Sequence, residues 1–186
     1  MNVKIISASV RDGRNSHRVA LYFKKYLLEN NHATVEMLDL KEYAFPVFEE
    51  RLQYMENPPA NVVEFAEKIK AADGVIIVTP EYNGGYPASL KNVTDLLYVQ
   101  WKKKPIAIAT VSDGSFGGTQ VITSILFSLW KIGAWVVTAM FPTPSAQENY
   151  DEEGNPKNKE ATDKKAKRFI GELFWAMEAK KKMEAQ

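Results

Sequence analysis

The stretch GVIIVTPEYNGGYPASLKNVTDLL, Gly74 to Leu97, decides how the chain is read. The run Gly74–Thr79 is apolar up to its closing threonine, as expected of a strand covered on both faces in a parallel sheet. Pro80 ends the run. A turn containing Gly84 and Gly85 follows, and Pro87 suits the first position of a helix carrying Leu90, Val93 and Leu97 on one face. A short apolar run, a loop and a helical pattern form one unit.

The same unit recurs on either side. Short runs rich in Val, Ile or Ala occur at Val3–Ala8, Ala33–Leu38, Pro105–Val111 and Ala134–Met140. Helical patterns lie between them. One follows Ser16, which suits an N-cap, with Val19, Phe23, Tyr26 and Leu27 on its apolar side. Another follows Pro58 and Pro59, with Val62, Phe65, Ala66 and Ile69 on one face. The segment Gly118–Lys131 is apolar almost all round, through Val121, Ile122, Ile125, Leu126, Phe127, Leu129 and Trp130, and reads as a buried helix lying partly in a subunit interface. The last, Glu160–Glu184, carries Ala166, Phe169, Ile170, Leu173, Phe174 and Met177 on one stripe and its lysines on a solvated face. Five strand–helix pairs in alternation predict one α/β domain over 1–186, a doubly wound sheet with helices on both faces. Right-handed crossovers place the loops after the strands on one edge, where ligands of such sheets bind.

Composition narrows the function. The net charge of +1, from 24 basic and 23 acidic residues, gives no reason to expect a nucleic-acid partner. There is no cysteine, so disulfides, thiolate zinc sites and thiol catalysis are excluded and redox chemistry would need a bound cofactor. No metal site is expected. No run reaches the roughly 20 apolar residues of a membrane span, and a cytoplasmic protein is the expectation.

Three loops hold the candidate chemistry. The first, SASVRDGRNSHRVA (Ser7–Ala20), has Arg11 and Arg14 at a predicted helix N-terminus, where amides and the helix dipole favour an anion. The same residues suit a capped helix with solvent-exposed arginines. GxxxxGK[ST] is absent, and no GxGxxG follows the first strand, so any anion there belongs to a mononucleotide. In the second loop, amides of Glu81 to Gly84 have access to the edge of a planar heterocycle, and Tyr82 and Tyr86 offer aromatic surface; a structural turn explains Pro80, Gly84 and Gly85 equally well. The third, SDGSFGG (Ser112–Gly118), has three glycines that permit close backbone approach or positive φ, or serve as a flexible linker.

Taken together, Ser9, Arg11 and Arg14 in SxRxxR, then TPEYNGGYPASLKNVTD, then SDGSFGG resemble the NAD(P)H-dependent FMN reductase family, which includes small quinone reductases and azoreductase-like enzymes. The resemblance runs from about Lys4 to Gly154 and includes ENYDEEG, Glu148–Gly154; the family's first loop often begins Gly-Ser, where this chain has Ala8-Ser9. It implies a flavodoxin-like sheet of order 2-1-3-4-5. It also implies hydride transfer from NADPH or NADH, by way of FMN and in ping-pong order, to a small acceptor such as a quinone, azo compound or flavin. The FMN phosphate would be held by Ser9, Arg11, Ser16 and His17. Pro80, Glu81, Tyr82, Asn83 and Gly84 would lie against the isoalloxazine and ribityl region, with Ser112, Gly114 and Gly117 on the other side.

No side chain is expected to act as catalyst, since the flavin carries the chemistry. His17 is read as offering its backbone, His32 as lying in a turn, and Asp95 as a structural hydrogen-bonding group. Tyr43, Phe45 and Phe48 either wall the pocket across a dimer or pack as a satellite of the core. The family implies a homodimer or a pair of dimers. An electron carrier that binds FMN without being reduced by NAD(P)H is the competing reading; such carriers commonly present a strongly charged face, which this composition lacks. A non-catalytic protein of the same fold is a third.

Overall fold

The structure is a computed structural model describing residues 1–30 and 32–185. Five strands, β1 (Asn2–Ser7), β2 (Thr34–Asp39), β3 (Gly74–Pro80), β4 (Pro105–Val111) and β5 (Trp135–Thr143), form one sheet. All pairings are parallel, in the order β2-β1-β3-β4-β5. Every residue of β3 and β4 is buried, which is why their runs lack polar alternation.

Side chains alternate between two cores. Ile5, Ile76, Val78, Ala107 and Ala109 face α1 (Asn15–Glu29) and α7 (Lys159–Glu184). Ile6, Val75, Ile77, Ile106 and Ile108 face α3 (Ala60–Ala71), α4 (Ala88–Leu96) and α5 (Val121–Lys131). Short helical turns α2 (Leu40–Tyr43) and α6 (Ala146–Asn149) follow β2 and β5. The α3 stripe Val62, Phe65, Ala66 and Ile69 is buried, as is the α7 stripe apart from the half-buried Phe174. β1 and β3 are neighbours although β2 lies between them in sequence, so the chain reverses its direction of winding there and the loops after β1 and β3 flank the switch point.

Three expectations need correction. Ser16 is not the cap of α1: Arg14, with extended backbone, precedes the helix, no side chain caps it, and Ser16 lies within the first turn. The entry to α1 is instead set by the anchoring of Arg14 to Asp39. Pro87 stands one residue outside α4, its carbonyl accepting from Leu90 and Lys91. The segment after Gly118 becomes helical only at Val121. Only Val121, Ile125 and Leu129 are covered, while Phe127 and Trp130 are 64% and 68% exposed. The i, i+4, i+8 stripe is buried against the core, and Leu126 packs partly against it.

Tyr43 stacks on Phe45 at 5.1 Å, and both rings meet Phe65 edge-on, so this aromatic group packs against the core. Asp95 is ion-paired with Lys91 on α4.

Candidate functional site

In the first loop, β1 delivers Ser7, Ala8 and Ser9 fully buried to the sheet edge. Arg14 binds the Asp39 carboxylate with both terminal nitrogens, Nη2 at 2.5 Å from Oδ2, and donates from Nη1 to the Ser9 carbonyl at 2.8 Å. A bidentate pair to a carboxylate that is 3% exposed commits this guanidinium to the fold rather than to a ligand. His17 Nδ1 lies 3.0 Å from Ser7 Oγ and 3.6 Å from Asp39. Those contacts turn the ring inward, and burial, reinforced by the Arg14 charge, lowers its pKa and favours the neutral form.

Two side chains are not committed to the fold in this way. Arg11 is exposed, its guanidinium 5.5 Å from the centre of the Tyr82 ring. Ser16 is 2% exposed, and its hydroxyl has no hydrogen-bond partner among the described residues. It lies in the first turn of a 15-residue helix, whose positive end favours an anion.

The second loop is a tight turn. Tyr82 N donates to Gly85 O at 2.8 Å, and Gly85 N returns to Tyr82 O at 3.0 Å. Asn83 and Gly84 between them both have positive φ, +52° and +77°, the conformation an Asn-Gly pair adopts most readily. Glu81 N donates to Val111 O at 3.0 Å. The amides of Glu81 and Tyr82 are therefore spent inside the protein, in contrast to the expectation that they address a heterocycle. Glu81 also accepts from Gln120 N at 3.0 Å. Tyr82 OH lies 2.6 Å from Ser9 Oγ, joining the first two loops across 73 residues. Tyr86 turns instead to Ser128 of α5, 2.8 Å away.

The third loop folds back on the sheet. A Cβ on Gly117, at φ +63°, would stand 2.7 Å from Thr143 N and 2.8 Å from Pro144 N, and Thr110 Oγ1 donates to the Gly117 carbonyl at 2.7 Å. The glycine is required by backbone packing against the end of β5. Ser112 Oγ donates to Gly114 O at 3.2 Å.

The three loops enclose a cavity of about 330 Å³. Arg11, Ser16, Pro80, Glu81, Tyr82 and Ser112 line it. Ser9 lies behind Tyr82, His17 faces Ser7 and Asp39, Asn83 and Gly84 form the exposed tip of the second loop, and Gly114 and Gly117 shape the third. Sequence reasoning missed Asn15, Asp113 and Gln147, which also line the cavity. Asn15 donates to Asp113 at 3.2 Å and so closes the rim between the first and third loops. Both sit inside recognised motifs and were within reach, whereas Gln147 arrives from α6 with no local signal.

This is a doubly wound protein with a cleft at its switch point, lined by residues of all three loops and by the N-terminal turn of its first helix. The orphaned Ser16 hydroxyl, the exposed Arg11 and the helix terminus fit the phosphate of FMN. The sequence profile of NADPH-dependent FMN reductases matches residues 1–148, and the chain belongs to that family. Membership makes it by class a flavin-dependent NAD(P)H oxidoreductase, with FMN and NAD(P)H as the cofactors the family implies.

An NAD(P)H-dependent FMN reductase of Saccharomyces cerevisiae is 34% identical over 133 residues, covering 64% of this chain and 69% of that protein. A quinone reductase of Escherichia coli K12 is 36% identical over 125 residues, so the match spans slightly less than two thirds of either protein, 64% in each case. The structure of FerB, a flavoenzyme NAD(P)H:(acceptor) oxidoreductase from Paracoccus denitrificans, superposes with a TM-score of 0.77 over 95% of this chain and 97% of that one. At 21% identity this likeness speaks for the fold.

Proposed function

We propose that this chain passes reducing equivalents from NAD(P)H to a small acceptor such as a quinone, azo compound or flavin, in ping-pong order, by means of FMN seated where the three loops meet. The observation that carries the reading is the buried, unpartnered Ser16 hydroxyl at the mouth of α1, inside a cavity to which all three loops contribute. Ser16 Oγ, the amides of Asn15 and Ser16, and Arg11 would hold the phosphate, the His17 amide being donated to the Arg14 carbonyl at 3.2 Å. Pro80, Tyr82 and Ser112 would border the rest of the cofactor, with the free tip of the Asn83–Gly84 turn at its polar edge. When bound, the flavin supplies two-electron chemistry by accepting hydride from the nicotinamide and yielding it to the acceptor.

The protein's own part is binding and orientation. Arg14 and Asp39 neutralise each other and stiffen the first loop. His17, held neutral, adds no charge behind the phosphate. The bond donated by Gln120 N to the Glu81 carboxylate fixes the second loop to the approach of α5. The proposal includes residues 1–186 as one domain in a cytoplasmic homodimer, or a pair of dimers, with the exposed Phe127 and Trp130 of α5 as support for a covered face.

An anaerobic absorption spectrum with FMN, before and after NADPH, tests the reading. Flavin bands should bleach with NADPH and return with a quinone. Bound flavin that NADPH leaves unbleached would make the chain an electron carrier, and no bound flavin would overturn the cofactor assignment.

A further inference from the structure

Between the end of β5 and the first turns of α7 lies a smaller cavity, of about 220 Å³. Phe141, Thr143, Tyr150, Asn158, Thr162 and Lys165 line it, and it shares no lining residue with the flavin cleft. Its lining holds a cation and no aspartate or glutamate. Thr143 is also the residue on which the third loop rests. Its carbonyl accepts from Ser112 N at 3.2 Å, and Gly117 packs against its amide.

Two groups here lack the partners that their burial calls for. Thr143 is 3% exposed, and its hydroxyl has no hydrogen-bond partner among the described residues. The buried Tyr150 hydroxyl stands near it without bonding it. Folded proteins leave few such groups, because an unmade bond forfeits the full hydration of the hydroxyl. Lys165 is the second. Its stem reaches the surface, yet its ammonium is folded back to 4.2 Å from the centre of the buried Phe141 ring and donates to the Pro142 carbonyl. Burial lowers its pKa, and among the described residues no carboxylate acts against that. A partly desolvated cation without a counter-ion, beside an unused hydroxyl, is complementary to an anion.

Size and donor type narrow the class. The volume lies below the roughly 300 Å³ at which ordinary small-molecule sites begin, so the anion is small. Donors reach the cavity from three parts of the chain: Thr143 at the end of β5, Tyr150 after α6, and Asn158 and Lys165 at the start of α7. Asn158 Oδ1 is spent on Ala161 N at 3.0 Å, which leaves its amide nitrogen to donate. Such a set suits an ion that accepts on several sides.

We propose that this cavity binds a small tetrahedral oxyanion, phosphate or sulfate, held by Thr143, Tyr150 and Lys165 and distinct from the position of the flavin phosphate. The bound ion braces the end of β5 beneath the third loop and so stabilises the folded chain. The site stands whether or not the chain reduces an acceptor.

The test titrates inorganic phosphate, then sulfate, into the FMN-loaded protein, in which the cofactor fills the position at α1, with sodium chloride holding ionic strength constant. Calorimetry should find one site, and phosphate should raise the thermal midpoint above its value in chloride. Lys165→Met keeps the packing over Phe141 and removes the charge; Thr143→Val keeps the volume and removes the hydroxyl. Each should weaken phosphate binding roughly tenfold or more. Thr143→Val should leave the phosphate-free midpoint unchanged or higher. Lys164→Met, which removes the same charge from the adjacent exposed position of α7, should bind phosphate as the unmodified protein does. Absence of binding by the unmodified protein overturns the proposal, as does unchanged affinity in Lys165→Met and Thr143→Val. Equal weakening in Lys164→Met and Lys165→Met would reduce the effect to surface charge and also overturns it. Should FMN fail to load, the same comparison on the cofactor-free chain still decides, since Ser16 and Arg11 are unaltered in every variant.

Discussion

Ser16→Ala should move stability and cofactor affinity in opposite directions. The Ser16 hydroxyl is buried and has no partner among the described residues, so the folded protein bears its desolvation without a compensating bond. Removing such a group relieves a cost of about 1–3 kcal/mol, part of which returns as the loss of a small volume. The apoprotein should therefore be as stable as the unmodified one or more so, by up to about 1 kcal/mol. A hydrogen bond from this hydroxyl to a phosphate is charge-assisted and worth about 1.5–3 kcal/mol. FMN affinity should fall roughly 10- to 150-fold. Urea denaturation of the apoprotein reads the first quantity, and quenching of flavin fluorescence on titration reads the second. Riboflavin, which lacks the phosphate, should bind both proteins alike. An unchanged FMN Kd, or an apoprotein destabilised by more than about 1 kcal/mol, would refute the reasoning, because the hydroxyl would then serve the fold rather than the ligand.

Other outcomes follow from the same geometry. Arg11→Ala should weaken FMN binding several-fold, by about 1 kcal/mol for an exposed charged contact, with no change in urea midpoint; an unaltered Kd removes Arg11 from the phosphate site. Gly117→Val should lower stability by about 2–4 kcal/mol, since its Cβ meets the Thr143–Pro144 backbone at positive φ, and should weaken flavin binding as the third loop shifts. A wild-type urea midpoint in that variant would mean that the loop yields freely. Stability should also depend on alkaline pH in two opposed ways. Lys104, buried with its Nζ donating to the Lys70 and Ala72 carbonyls, has its pKa lowered by burial to about 8. The folded state therefore binds fewer protons than the unfolded one above that value, and stability rises from pH of about 8 towards the unfolded lysine value of ~10.4. Burial raises Tyr150 to about 12 and Tyr22 further, so their contribution is present below the unfolded tyrosine value of ~10 and lost as pH climbs past it. Urea midpoints from pH 7 to 11 should pass through a maximum, and Lys104→Met should reduce the rising limb, to which Lys165, also lowered by burial, contributes in the same sense.

What the sequence determined by itself was whatever local pattern encodes. The runs at Gly74–Thr79 and Pro105–Val111, apolar but for one threonine each, announced central strands, because a strand buried on both faces shows no polar alternation. The stripes of α3 and α7 were legible because burial on one helix face leaves a 3.6-residue period. Three motif loops then pointed to one edge of the sheet and to the family. Only the tertiary structure decided which members of those motifs are free to act. Arg14 looked as available for a phosphate as Arg11 until β2 brought Asp39 against it, 25 residues away in sequence. The amides of Glu81 and Tyr82 looked open until Val111 and the Gly85 carbonyl took them. The apolar circumference of α5 told nothing of which side meets the sheet; within the chain, beside the edge strand β5, Val121, Ile125 and Leu129 are the residues fully covered. In each case the deciding partner is remote in the chain. Hydrogen-bond valence and burial are settled by which groups meet in space, and local periodicity carries no record of that.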